Sequence, residues 1–277
     1  MTPVSRAFDL SGFGVRIRGL DPECAAVLDD VWGLFAGDGG RPVAEFEVRR
    51  GEGTLTPGRI DDAPLQRTID GRAIAFASAE GRVECDAGGR AQVRVGDGDA
   101  AMRAFAMINL IVPVLSWRLP ELGALVLHSG AVLAGDRGFV LVGQAGAGKS
   151  TFVEHAIAGG ARAVSEDLNL LVEEAGEWRL AGSPFRTRIH RGPGPGRWPL
   201  AALLLPSHAA AARIEPVASL IAGAQVQANL PFVGDCWLQV PGGEPLTASL
   251  DRIPALRLHF AKDPAFVPLL EAWRPGD

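Results

Sequence analysis

The sequence predicts an α/β protein in two parts, a small α+β domain with an antiparallel meander and a second α/β domain with a mixed sheet. Two observations support this prediction. Short apolar runs between residues 66 and 95 alternate with dipeptides that form hairpin turns. Further along, FVLVGQAGAGKST at 139–151 gives an apolar strand, a glycine-rich loop and a helix start in that order. We place the boundary at Leu119-Pro120, which gives domains 1–119 and 120–277.

Local signals in the first part predict its elements in turn. Asp21-Pro22-Glu23 starts a helix, because Asp caps free amides, Pro suits the first turn and Glu favours the positive helix end. Alternation of polar and apolar residues predicts the strands. The expected elements are a strand at 15–19, a helix at 21–36, a strand at 44–50, the meander strands QRTI, AIAFAS, RVEC and AQVRV, and a helix from Asp99 to about Trp117.

The second part is read in the same way. The segment 125–134 is expected to form two short strands on either side of His128. The glycine-rich stretch then separates a strand from a helix, and Ala175-Gly176 turns a hairpin. The remaining expected elements are strands at 139–143 and 161–167, hairpin strands NLLVEE and EWRLAG, helices at 149–158, 216–230 and 264–273, and a strand at 255–260.

Composition excludes several classes of protein. The net charge of −5 argues against a nucleic-acid binder, which usually has a dominant basic face. The longest apolar run, residues 104–115, is too short to cross a bilayer and fits a buried helix, so no membrane contact is expected. The N-terminus lacks the apolar stretch of a signal peptide. Three scattered cysteines show no metal-binding spacing and suit a reducing, cytoplasmic environment.

Gly143-x4-Gly148-Lys149-Ser150 matches the P-loop pattern, in which a bare backbone wraps a phosphate group. Gly146 and Gly148 allow backbone angles that turn consecutive amides inward, and the following helix points its positive end at the same phosphate. Lys149 would bind the β and γ oxygens, and Ser150 would bind Mg²⁺. The predicted nucleoside-triphosphate site comprises Gly143, Gln144, Ala145, Gly146, Ala147, Gly148, Lys149, Ser150 and Thr151.

A P-loop alone does not separate kinases, GTPases, transporter ATPases and motors. The sequence has no LSGGQ-like signature of transporter ATPases and no NKxD element of the common GTPases. Instead, an acidic pair, Glu166 and Asp167, ends the next predicted strand, with Asp167 lying 17 residues after Ser150.

Residues 125–171 resemble the catalytic core of HPr kinase/phosphorylase and its bacterial relatives. That core has a histidine on a short strand, then a P-loop, then a strand of the type G-H-R-L-V-A-D-D. Here the histidine is His128, fifteen residues before Gly143, and the strand GARAVSED ends at Asp167 in register. The resemblance implies a fold shared with PEP carboxykinase, and transfer of the ATP γ-phosphate to a serine hydroxyl of a peptide or small protein.

The resemblance also implies roles for individual residues. Lys149 would clamp phosphate, Ser150 would bind magnesium, Glu166 and Asp167 would be the acidic pair, and His128 would be an active-site neighbour. Two departures from HPr kinase are Glu166 in place of the first aspartate and the lack of a downstream E-x-R-G-x-G stretch. These departures favour comparison with related kinases of peptide modification, including lasso-peptide kinases. Related kinases form oligomers, so a homo-oligomer is an open alternative.

Several roles stay open. We prefer Glu166 as the base that takes the acceptor proton and Asp167 at the metal, with the reverse as the alternative. His128 either contacts the phosphates and acids or has a structural role. The segment 178–214 has no acidic residue and six arginines. Arg186 and Arg188 either reach the transferred group or form part of a solvated loop.

The chemistry of the acceptor is also open. A kinase acting on a peptide or small protein is the first hypothesis. A small-molecule kinase on the same scaffold, or a nucleotide sensor that hydrolyses poorly, are the alternatives. The expected cofactors are ATP and Mg²⁺, with another phosphate donor in place of ATP as an open alternative.

Overall fold

The computed structural model describes residues 2–55, 66–185 and 192–275. The chain divides into two compact units, Met1–Arg118 and Leu119–Asp277. Each contains a mixed sheet, so the protein has an α/β fold with two mixed sheets.

The sheet of the first unit has the order β1-β2-β3-β7-β6-β5-β4 in the described residues. β3 pairs in parallel with β2 and β7, whereas the other neighbours are antiparallel, so the predicted meander continues a mixed sheet. The sequence analysis did not predict β1. The strands are β1 Val4–Asp9, β2 Phe13–Leu20, β3 Arg41–Thr54, β4 Gln66–Asp70, β5 Ala73–Ser78, β6 Gly81–Cys85 and β7 Arg90–Asp97.

Two helices, α1 Pro22–Trp32 and α2 Ala100–Arg118, bring the indole rings of Trp32 and Trp117 into the core of the first unit. Asp21 caps α1 as predicted, because its carboxylate accepts a hydrogen bond from the Cys24 amide at 2.8 Å. The segment Ala100–Leu122 is long and apolar enough to cross a membrane, but 72% of its most apolar window is buried inside the protein. That burial is typical of a core helix.

The sheet of the second unit has the order β10-β8-β11-β12-β13-β15-β14, and β9 pairs with both β8 and β13. Its strands are β8 Ala124–Ala134, β9 Arg137–Val142, β10 Arg162–Ser165, β11 Leu168–Glu174, β12 Glu177–Ala181, β13 Arg197–His208, β14 Arg213–Pro216 and β15 Ala255–Phe260. Its helices are α3 Lys149–Ala158, α4 Ser219–Ala228, α5 Gly243–Leu250 and α6 Val267–Ala272.

The prediction of two short strands around His128 is wrong, because β8 is continuous. The strand does change partners at that point. Residues before Ser129 pair with β11, whereas Ser129 pairs with Val142 of β9, and Ala131 pairs with Ser165 of β10. The change of neighbours lies where the sequence predicts a break between two strands.

Strand β13, which the sequence analysis missed, forms part of the core of the second unit. It pairs in parallel with β9 and β15, and its residues Ala202–Leu204 are buried. The core on one side of this sheet includes Phe152 of α3 and Phe266, whose rings stack with centroids 5.2 Å apart. α3 therefore begins at a fixed place above the sheet.

Candidate active site

The glycine-rich loop joins the end of β9 at Val142 to the start of α3 at Lys149. Gly146 and Gly148 have φ of 80° and 93°, which favour glycine at both positions. Gly143 has a different role, since a Cβ there would lie 2.7 Å from the Cβ of Ala147. Glycines therefore allow both the reversed backbone angles and the close approach of the two loop ends.

The loop presents amide donors at the N-terminus of α3. Within the described chain, the amides of Gly146, Gly148 and Ser150 donate to no other protein group, while the Ala147 amide donates to the Gln144 oxygen at 3.0 Å. Gln144, Ala145 and Gly146 are exposed. Free amides at the positive end of a helix fit an anion such as phosphate.

Lys149 lies beneath this loop with 7% of its surface exposed. Its Nζ donates to the carbonyl oxygens of Gly143 at 2.8 Å and Gln144 at 3.1 Å. Burial lowers the pKa of this ammonium group below 10.5, and the negative charge of Asp167 acts in the opposite direction. Lys149 and Asp167 therefore interact electrostatically across the site.

Strand β8 connects the loop to the acidic pair. A Cβ on Gly130 would lie 2.9 Å from the Lys149 carbonyl oxygen, so the start of α3 rests against the strand at this glycine. The neighbouring Ser129 donates its amide to the Asp167 carbonyl at 2.8 Å. Adjacent residues of one strand thus hold the helix N-terminus and the acidic pair.

The acidic pair forms the bend between β10 and β11, and its two members differ in exposure. Glu166 is buried, with 4% of its surface exposed. The Asp167 side chain is 35% exposed, and its Oδ1 lies 3.8 Å from His128 Nε2. This separation is an ion-pair distance when the imidazole is protonated and is too long for a hydrogen bond. Asp167 is the more accessible carboxylate for a cation.

The sequence analysis missed a polar cluster beneath this bend. Ser129, Ser165 and Asn169 are fully buried, and Asn169 Nδ2 donates to the Ser129 carbonyl at 2.8 Å. A signal was available, since each polar residue interrupts or borders an apolar strand sequence. Nor was Asn229 singled out as an individual site residue, although its carbonyl oxygen accepts from the His128 amide at 3.0 Å.

The arginine segment is only partly described. Arg186 and Arg188 lie outside the described residues. The chain before them is fixed to the acidic bend, because the Ser165 hydroxyl donates to the Phe185 carbonyl oxygen. Arg197 and Arg179 form ion pairs with Glu174, which gives these two arginines a structural role.

The donor set fits magnesium better than a metal held by protein alone. The described residues contain no group of three or more His, Cys, Asp or Glu side chains placed to hold a metal. Ser150 is half-buried at the first turn of α3, and Asp167 is partly exposed. One hydroxyl and one carboxylate suit Mg²⁺, which commonly takes its other ligands from phosphate and water.

Comparison with known proteins gives similarity to solved structures alone. No family model and no curated protein matches the chain. Among solved structures, it is similar to the HPr(Ser) kinase/phosphatase from Coxiella burnetii, with 13% identity, a TM-score of 0.28, and coverage of 52% of this chain and 89% of that one.

Proposed function

We propose that the protein is an ATP-dependent phosphotransferase that moves the γ-phosphate to a hydroxyl group of a peptide or small protein. One observation supports it most: residues Ser129 and Gly130 of β8 contact both the acidic pair and the start of α3. The same strand therefore contacts both the loop that would bind phosphate and the pair of carboxylates. Phosphoryl transfer requires mainly this alignment and neutralisation of charge.

On the nucleotide side, the amides of Gly146, Gly148 and Ser150 would bind phosphate oxygens. Lys149 would leave the carbonyl oxygens of Gly143 and Gln144 and place its charge on the β and γ oxygens. Ser150 and Asp167 would hold Mg²⁺, which neutralises charge on the phosphate oxygens when bound.

On the acceptor side, a carboxylate takes the proton of the attacking hydroxyl group. The hydroxyl oxygen forms a bond to the γ-phosphorus, the bond from that phosphorus to the β–γ bridging oxygen breaks, and ADP leaves with the bridging oxygen. We assign the proton to Glu166, because the partly exposed Asp167 interacts with Lys149 and suits the metal. His128 lies beside Asp167 and would orient it.

The experiment incubates the protein with γ-labelled ATP, Mg²⁺ and peptides encoded beside its gene, followed by mass spectrometry. We expect a peptide heavier by one phosphate on a serine or threonine. Glu166→Gln should retain MgATP affinity and lose turnover by about 10²- to 10⁴-fold, because it removes a general base. Asp136→Asn is the matched control, since the Asp136 side chain is 94% exposed and pairs with Arg162 at 3.2 Å.

Two outcomes would count against this proposal. A wild-type protein that does not bind MgATP would exclude the phosphotransferase. If the protein phosphorylates an anionic metabolite and none of the peptides, the proposed phosphoryl transfer stands and the proposed acceptor is wrong.

A further inference from the structure

The backbone at the acidic bend is held by side chains where the sheet ladder is interrupted. Segment 165–172 runs antiparallel to residues 131–124 of β8, but Glu166 and Asp167 form a bend within it. A register shift between Ala163 and Ser165 precedes the bend. Such irregularities leave backbone groups that need other partners and change the direction of side chains.

Ser165 supplies one of these partners from a fully buried position. Its Oγ accepts a hydrogen bond from the Asp167 amide at 3.1 Å and donates to the Phe185 carbonyl oxygen. The Asp167 carbonyl oxygen in turn accepts from the Ser129 amide at 2.8 Å. Both backbone polar groups of Asp167 are therefore held, one of them by the Ser165 hydroxyl.

Asn169 holds the other side of the bend. Its Nδ2 donates to the Ser129 carbonyl at 2.8 Å, the Ser129 Oγ at 3.0 Å and the Ser165 carbonyl at 3.4 Å. The Ser129 Oγ donates to the Leu127 carbonyl at 3.2 Å. Hydrogen bonds between buried groups are stronger than those in water, so these bonds hold the geometry of the bend.

We propose that Ser165 is a positioning residue, which sets the two carboxylates for transfer, while Asn169 bonds to its carbonyl oxygen and to Ser129. This inference rests on the proposed function. Among the described residues, no hydrogen bond joins Ser165 to the nucleotide loop or to Lys149. Its loss should therefore affect turnover and leave the phosphate cradle intact.

The test compares Ser165→Ala with Ser183→Ala. Ser183 is the matched control because it is 2% exposed and its Oγ donates to the Leu168 carbonyl at 2.5 Å and accepts from the Phe185 amide at 3.2 Å. Each variant loses one buried hydroxyl, but only Ser165 contacts the Asp167 backbone. Hydrogen exchange of single amides and ATP-dependent ADP release would be measured on both.

In Ser165→Ala, we expect faster exchange of the Asp167 amide and a fall in kcat of about 10- to 100-fold, because a misplacement of about 1 Å costs that much. ATP affinity without Mg²⁺ should stay within about twofold, as for loss of an interaction made only in the transition state. In Ser183→Ala, the Phe185 amide should exchange faster, with kcat within about threefold. Should Ser165→Ala not fold, Ser165→Cys nearly keeps the size and weakens the hydrogen bonds, and a smaller fall in kcat is expected.

The two possible failures are distinguishable. If wild-type protein releases ADP and Ser165→Ala matches it, Ser165 does not position the carboxylates and the proposed function stands. If wild-type protein neither binds ATP nor releases ADP, the proposed function fails and this inference fails with it. An unchanged Asp167 amide in Ser165→Ala would overturn the inference without any reference to activity.

Discussion

Burial of the Lys149 side chain makes the charged form of its ammonium group less stable. Its ammonium group donates to two loop carbonyl oxygens, and burial lowers its pKa below 10.5 while Asp167 opposes the change. The charged form is complete below the folded-state pKa and is lost as pH rises through it. Because that pKa is lowered, the loss begins at lower pH than for an ordinary lysine.

The sequence allows this titration to be read directly, since Lys149 and Lys262 are its two lysines. Reductive ¹³C-methylation would give one NMR signal for each lysine besides the N-terminus, and Lys262→Arg would assign them. We expect the Lys149 signal in the ligand-free protein to titrate below 10.5. ATP affinity should decline over the same pH range. A Lys149 signal that titrates at or above 10.5 would contradict the burial argument.

Strand β8 is the element that places the parts of the site together, and its glycine is a point of contact. A Cβ on Gly130 would lie 2.9 Å from the Lys149 carbonyl oxygen and 3.2 Å from Val153 Cγ2. The first of these is backbone and cannot rotate away. Replacing Gly130 by alanine would therefore push the start of α3 away from the strand.

We expect Gly130→Ala to lower the free energy of unfolding by about 1–3 kcal/mol, because overpacking strains the core. It should also weaken ATP binding. Gly223→Ala is the control, because Gly223 lies within α4 with nothing within 4 Å of an added Cβ. That change should raise the unfolding free energy by about 0.5–1 kcal/mol, as for glycine in a helix. Urea denaturation and calorimetric titration with ATP check both; a Gly130→Ala protein with wild-type values would refute the contact.

Sequence patterns predict elements whose signals are local. The start of α3 at Lys149 can be predicted because the glycines before it allow the backbone angles of the loop. The helix cap at Asp21 can be predicted because the capping group is the side chain of that residue. β13 gave no such signal. Its central residues pack between parallel strands and are buried on both faces, so polar and apolar residues do not alternate along it. In the sequence, arginines, glycines and prolines flank these residues.

The residues of the site also divide into those with a local sequence signal and those without one. Pattern and spacing identify the loop and the acidic pair, because each is defined by neighbours in sequence. The positions of Ser129 and Asn169 beside that pair depend on pairing between β8 and β11, which joins residues far apart in the chain. A polar residue in an apolar strand sequence marks each position singly but gives no information about such pairing, so the arrangement of the cluster required coordinates.

At the scale of the whole molecule, the three cysteines report on the two units separately. Cys24 and Cys85 lie in the first unit and Cys236 in the second, and all three are buried. Burial raises the pKa of Cys24 and of Cys85 to about 11. Since the thiolate is the reactive form, native protein should react slowly with a thiol reagent at neutral pH.

We expect labelling of the three thiols to follow unfolding of the unit that contains each of them. Mass spectrometry of labelled peptides over a denaturant series would give one transition for Cys24 and Cys85 together and one for Cys236. Rapid labelling of either cysteine of the first unit in native protein would contradict its burial.

The central claim is that the phosphate loop and the acidic pair act on one ion. A double-mutant cycle tests it, with ATP affinity measured with and without Mg²⁺ for Ser150→Ala, Asp167→Asn and the double variant. We expect each single change to reduce the Mg²⁺-dependent affinity about tenfold and the double change to reduce it little further, because ligands of one ion are not additive. Losses that add fully, or an Asp167→Asn protein with wild-type Mg²⁺ dependence, would show that the two groups do not meet.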